Sequence, residues 1–140
     1  MTAQEYLEQA QQLDRQIDSK MMQLSRLRDL ATKTTGTMSD DVVSHTRNVH
    51  SLEDVIAAIM DMENEINADI QKAFDLKKEI AGAIKAIEDS SVSPVLEYRY
   101  LCYLPWSEIS QRMDCSLSTV YRKHTDGLKK VSEILKIGSD

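Results

Sequence analysis

The sequence predicts an all-α protein, a long antiparallel helical hairpin or coiled coil followed by a compact three-helix region. Three observations predict it. Four Gly and two Pro in 140 residues leave too few turn formers for a sheet protein of this size. Aromatic residues make up only 5% of the chain, which excludes a large aromatic core, and the bulk is Ala, Leu, Ile, Met, Glu, Gln and Lys, the good helix formers. Apolar residues also recur every seven positions through residues 1–90, the spacing of a helical seam.

The first helix starts at a capping box, Thr2-Ala3-Gln4-Glu5, in which a hydroxyl and a carboxylate satisfy amides that the first turn leaves free. Ala10, Ile17, Leu24 and Ala31 then repeat at seven, with Tyr6, Leu13 and Leu27 on the interleaved position. Lys20 is the one break, with Met21 beside it to fill the gap, and the seam runs to about residue 32. From 33 to 50 the Ser, Thr and Asp clusters favour local side-chain bonds, so a loop of about fifteen residues is expected. A second capping box, Ser51-Leu52-Glu53-Asp54, restarts the helix. Leu52, Ile59, Ile66, Ala73, Ile80 and Ile87 form its seam, Val55, Met62, Leu76 and Ala83 the partner position, and Asp69 is the exception. Unbroken to Glu88, this helix would be about 55 Å long. Paired with each other the two seams make a hairpin; exchanged between chains they make a dimer.

Asp89-Ser90-Ser91-Val92-Ser93-Pro94 closes this half, with Ser93 expected as N-cap and Pro94 as first helical residue. The predicted division is 1–90, a helical region for oligomerisation or partner binding, and 94–140, the three-helix region. Residues 1–93 carry a charge of −7 and residues 94–140 a charge of +1, recovering the overall −6. Such an acidic chain does not bind nucleic acid by bulk charge, but a local basic face remains open to it.

The C-terminal region reads as helices over roughly 94–103, 106–113 and 117–137, the second and third joined by the tight turn Asp114-Cys115-Ser116 with Ser116 as N-cap. That spacing is a helix-turn-helix. Ile109 and Met113 face the core, Ser110 is small where the helices cross, and Cys115, Val120, Leu128 and Val131 continue the buried side. Leu117, Ser118, Tyr121, Arg122 and Thr125 then project from the third helix, at the positions that enter a DNA major groove. Arg122 is the leading candidate for reading a base, since a guanidinium bonds two guanine acceptors at once. Arg112, Lys123, Lys129 and Lys130 are candidates for phosphate, although the last two also suit a helix C-terminus. Trp106 reads as a core anchor.

Leu-Pro-Trp-Ser-Glu-Ile-Ser (104–110), Ser-Leu-Ser-Thr-Val-Tyr-Arg (116–122) and Gly-Leu-Lys-Lys-Val (127–131) resemble the sigma-factor region 4 family of helix-turn-helix modules. The whole chain is similar to small phage and prophage proteins of Gram-positive bacteria. Met-Thr-Ala-Gln-Glu-Tyr-Leu, Ser-His-Thr-Arg-Asn-Val-His, Glu-Ile-Asn-Ala-Asp-Ile and Leu-Glu-Tyr-Arg-Tyr-Leu carry that likeness. It implies a role like that of late-gene transcription regulators of the ArpU and RinA type. Three positions depart from the region 4 pattern. Asp114 stands where Gly is common, Lys123 where an apolar packing residue is expected, and Gly127 where Ala is usual, at about 1 kcal/mol to the helix.

Other chemistry is poorly represented. His45 and His50 are too few for a metal site, Glu63, Glu65 and Asp69 follow a polar helix face, and no phosphate-binding glycine loop, nucleophile elbow or HExxH occurs. No enzyme, cofactor or metal is expected. No segment spans a membrane and no leader is read, so Cys102 and Cys115 are expected to be reduced, packed thiols in a cytoplasmic protein. The expected function is a regulator that binds duplex DNA as a dimer. The alternative is a protein-interaction module that binds RNA polymerase or another protein, with the helix-turn-helix as scaffold.

Overall fold

The computed structural model describes residues 1–36 and 42–138, and the side chains among them outside 34–51. The protein is all-α: α1 (Ala3–Gly36), α2 (Val42–Lys85), α3 (Ser93–Leu96) running into a π-helical turn (Glu97–Leu101), α4 (Trp106–Met113) and α5 (Leu117–Leu135). Among the described residues there is no strand, only an isolated bridge between Thr2 and Gly138. No described helix is long and apolar enough to cross a membrane.

The long helices extend further into the segment read as a loop. Residues 33–36 and 42–50 are helical, so α2 begins well before the Ser51 capping box; residues 37–41 lie outside the described residues. Hydroxyl residues lower helix propensity by only fractions of a kcal/mol each, about 0.5. They can also return their hydrogen bond to the helix, as Thr32 does by donating from Oγ1 to the Arg28 carbonyl at 3.1 Å. The start of α1 is as expected, the Glu5 amide donating to Thr2 Oγ1 at 3.1 Å.

The chain divides into two compact units, a central one of Asp14–Lys72 and a C-terminal one of Met1–Leu13 with Ala73–Asp140. The composition predicts a division at 90–94 instead. In the central unit α1 and α2 run antiparallel within one chain. Leu24 and Ile66 are buried there, while Ile17, Leu27, Ile59 and Met62 are half-buried. The two polar exceptions of the heptads meet each other: Lys20 Nζ lies 2.6 Å from Asp69 Oδ2 and 3.6 Å from Glu65. Met21 therefore does not replace Lys20 in the seam; it is 53% exposed. Arg28 and Glu63 make a second cross-helix pair at 2.9 Å.

The C-terminal unit is built differently. Ala3, Leu7, Ala10, Ile80, Ile84, Leu96 and Val131 are fully buried in one cluster, joined by Tyr100 of the π-helical turn and Leu128 of α5. Each large aliphatic side chain so buried contributes about 1.5–3 kcal/mol. Val95, Ile109 and Val120 form a second cluster, with Tyr98, Leu104, Trp106, Met113 and Cys115 packed against it. Cys102, by contrast, is exposed; both cysteines are free thiols. The turn before α3 is held by Asp89, whose Oδ1 accepts from the Ser91 amide and hydroxyl at 2.9 and 2.6 Å. Those two bonds, with help from Lys130, hold the Asp89 carboxyl below its usual range. Val92, not Ser93, is the N-cap of α3, and Pro94 follows inside the first turn. The helix expected over 94–103 widens into π geometry at Glu97, and the Leu104 amide closes the stretch by donating to the Tyr98 carbonyl at 3.0 Å.

Candidate nucleic-acid interface

Helices α4 and α5 and the turn between them make the candidate site. The amides of Asp114 and Cys115 return to the carbonyls of Gln111 and Ser110, so α4 ends in a Schellman-like closure. That closure needs a left-handed residue, and Asp114 supplies it with φ 52° and ψ 49°. Ser116 follows in extended conformation and its hydroxyl accepts from the Thr119 amide at 3.2 Å, capping α5. Ser110 occupies the crossing, where its hydroxyl donates to the Cys115 carbonyl. Ile109 and Val120 bury their side chains completely between the two helices, and this fixes the crossing from the core side.

All five residues expected to project from α5 do so. Leu117, Ser118, Tyr121, Arg122 and Thr125 are exposed, and steps of three and four along the helix put them on one side. Tyr121 rests edge-on against Trp106, ring centroids 5.3 Å apart, so its exposed ring has a fixed base. Trp106 in turn carries the Arg99 guanidinium 4.3 Å above its ring, and Arg99 Nη1 donates to the Leu104 carbonyl at 3.0 Å. Trp106 is half-buried and anchors this corner.

The four phosphate candidates differ. Arg112 is held on its own helix by Glu108, with Nε at 3.2 Å and Nη2 at 3.1 Å from one carboxylate oxygen. Lys130 is 3.1 Å from Asp126 and 3.4 Å from Asp89, and the Asp126 carboxylate first, then Asp89, holds its ammonium above the ordinary lysine value. Among the described residues no carboxylate holds Arg122, Lys123 or Lys129. Lys129 is exposed and continues the side that carries Arg122, whereas Lys123 is half-buried on another side. The arrangement places free cationic charge at Arg122 and Lys129, and the N-terminal end of α5 adds the positive pole of the helix dipole.

One residue central to this region is not found by the sequence reading, and another has a packing role that the reading does not see. His124, not position 123, occupies the packing face, in the series Val120, His124, Leu128 and Val131. Its Nε2 shares a 2.6 Å hydrogen bond with Tyr100 Oη, and its ring meets Trp106 edge-on at 4.7 Å. The expectation that Lys123 displaces an apolar packing residue is thereby corrected: a buried imidazole fills that place because Tyr100 satisfies its nitrogen. The spacing of four from Val120 was the available signal. Gly127, read from the sequence as a cost to the helix, is the residue with the unseen packing role. A Cβ there would stand 2.9 Å from Leu96 Cδ1, and Leu96 is fully buried, so Ala would have to press the Leu96 side chain aside.

A family model described as "Protein of unknown function (DUF1492)" matches residues 32–132, which spans the end of α1, all of α2 and most of the candidate site. No curated protein and no solved structure matches the chain.

Proposed function

The chain belongs to the DUF1492 family, and we propose that it is a non-enzymatic transcription regulator that binds duplex DNA through α4 and α5. The proposal rests on one observation: five side chains are exposed together on one side of a helix whose N-terminus is capped, rigidly crossed and free of acidic neighbours in its first turn. A helix of this kind fits the major groove, with Leu117, Ser118, Tyr121, Arg122 and Thr125 toward the bases and Lys123 and Lys129 toward phosphate. Arg112 and Lys130 join the phosphate contacts only by leaving their carboxylates. The likeness to region 4 modules and to phage and prophage regulators of the ArpU and RinA type points the same way, with the bacterial cytoplasm as the setting. One module buries about 600–1,000 Å², too little for tight binding alone at physiological salt. A dimer answers this, and the exposed Met60 and Ile70 of α2 are the kind of apolar surface it would cover.

That same surface favours a second reading, a protein-interaction module with RNA polymerase or another protein as partner. Salt separates the two, because phosphate contacts weaken steeply as salt rises and apolar contacts do not. The test is selection of bound sequences from a random duplex pool at near-physiological salt. An enriched motif is expected, on which Arg122→Ala costs about 1–3 kcal/mol. No enrichment at any salt overturns DNA reading; an enriched motif that Arg122→Ala binds equally well removes Arg122 from it.

A further inference from the structure

We propose that Leu117 reads the C5-methyl group of thymine, so that the recognised duplex is defined by thymine and guanine; the inference rests on the DNA-binding reading above. The argument is an inventory of the exposed side of α5. Major-groove edges are told apart by matching chemistry: amides pair with adenine, carboxylates accept from cytosine, guanidinium or ammonium groups pair with guanine, and apolar groups meet the thymine methyl. The side formed by Leu117, Ser118, Tyr121, Arg122 and Thr125 has no amide and no carboxylate. Its hydroxyls are poor discriminators, since Ser and Thr serve several bases. The Thr125 hydroxyl is also engaged, donating to the Tyr121 carbonyl at 3.0 Å. What remains is one guanidinium, for guanine, and two apolar groups for thymine, the Leu117 isobutyl and the smaller Thr125 methyl.

Leu117 is placed for that task. It is the first residue of α5, and helical side chains lean toward the N-terminus, so its isobutyl group covers the end of the helix that enters the groove. It is 42% exposed and belongs to neither hydrophobic cluster, so the fold does not account for it. Tyr121, one turn on and 47% exposed, lies on the same side of the helix. No carboxylate stands in the first turn of α5 to accept from cytosine or to repel the duplex.

The test uses the full chain and the enriched duplex, with thymines replaced one at a time by deoxyuridine, which removes only the methyl. At one thymine the affinity should fall about fourfold, the value of one buried methyl group. Leu117→Ala should bind thymine and uracil versions equally, while its thermal unfolding matches the parent chain. If every uracil duplex binds as tightly as its thymine parent, the proposal fails and DNA reading stands. If Leu117→Ala still discriminates, the methyl is read elsewhere and the assignment also fails. An empty selection overturns both this inference and the reading beneath it.

Discussion

The same two helices behave differently in the two units. In the C-terminal unit Leu7, Ala10, Ile80 and Ile84 are completely buried, because α3, the π-helical turn and α5 add residues to their cluster. In the central unit Leu24 and Ile66 are buried, but the seam residues Ile17, Leu27, Ile59 and Met62 are only half-buried, and Met21, Met22, Ile56, Met60 and Ile70 are exposed. The heptad pattern is broken there only at Lys20 and Asp69, which pair with each other; the larger difference is that a helix needs neighbours on several sides to lose its water. Two helices alone cover one stripe each. What the central unit lacks in packing it supplements with cross-helix ion pairs, which are weak where solvent reaches them.

This contrast can be broken most directly by deleting equivalent methylenes. Ile109→Ala, at a fully buried site, is expected to cost about 2–5 kcal/mol. Ile59→Ala, half-buried in the central unit, should cost about 1–2 kcal/mol. Urea denaturation followed by circular dichroism compares them, and equal losses would contradict the difference in packing.

A smaller effect separates two helical glycines. Ala at Gly127 meets Leu96, so an overpacking cost of about 1–3 kcal/mol opposes a propensity gain of about 1 kcal/mol, and a net loss near 1 kcal/mol is expected. At Gly82 nothing lies within 4 Å of the place a Cβ would take, so α2 is open on that side. Gly82→Ala should therefore stabilise, by about 0.5–1 kcal/mol. Melting temperatures moving in the same direction would show that the two sides do not differ in how closely they are covered.

The smallest effect concerns the polar pair. Asp69→Leu leaves Lys20 with only the longer 3.6 Å pair to Glu65 and should lower the melting temperature, whereas Lys20→Leu with Asp69→Leu should restore or exceed it. The hydrogen bond from Lys20 to Asp69 raises the lysine above its ordinary 10.5. The pair's stabilisation is therefore full below that value and is lost as pH rises through the higher folded value. A double variant less stable than Asp69→Leu alone would make the pair more than a seam defect matched to its partner.

Where backbone chemistry is local, the sequence is a reliable guide. Trp106 to Met113, the Ser116 cap and the left-handed Asp114 all follow from a few adjacent residues, and the structure has each of them. The heptads are legible for the same reason, and they mark Lys20 and Asp69 as exceptions. Their pairing needs the third dimension. So does Gly127, whose propensity cost is visible along the chain while Leu96 is not. His124 is obscured by a frame one residue early, and the hydroxyl run after residue 33 argues against a helix more strongly than its small energetic cost warrants. The exposure of the five α5 residues is readable in advance; the carboxylates that hold Arg112 and Lys130 become visible only on folding.

Lys20 and Asp69 specify which residues of α1 and α2 meet, and they do so without regard to whose helices they are. An α1 from one copy laid against the α2 of another keeps the same ion pair and the same seam in the central unit. A closed and an arm-exchanged form would therefore be equal in seam energy. The choice between them would then fall to chain concentration, through the mass-action term that any association of copies carries.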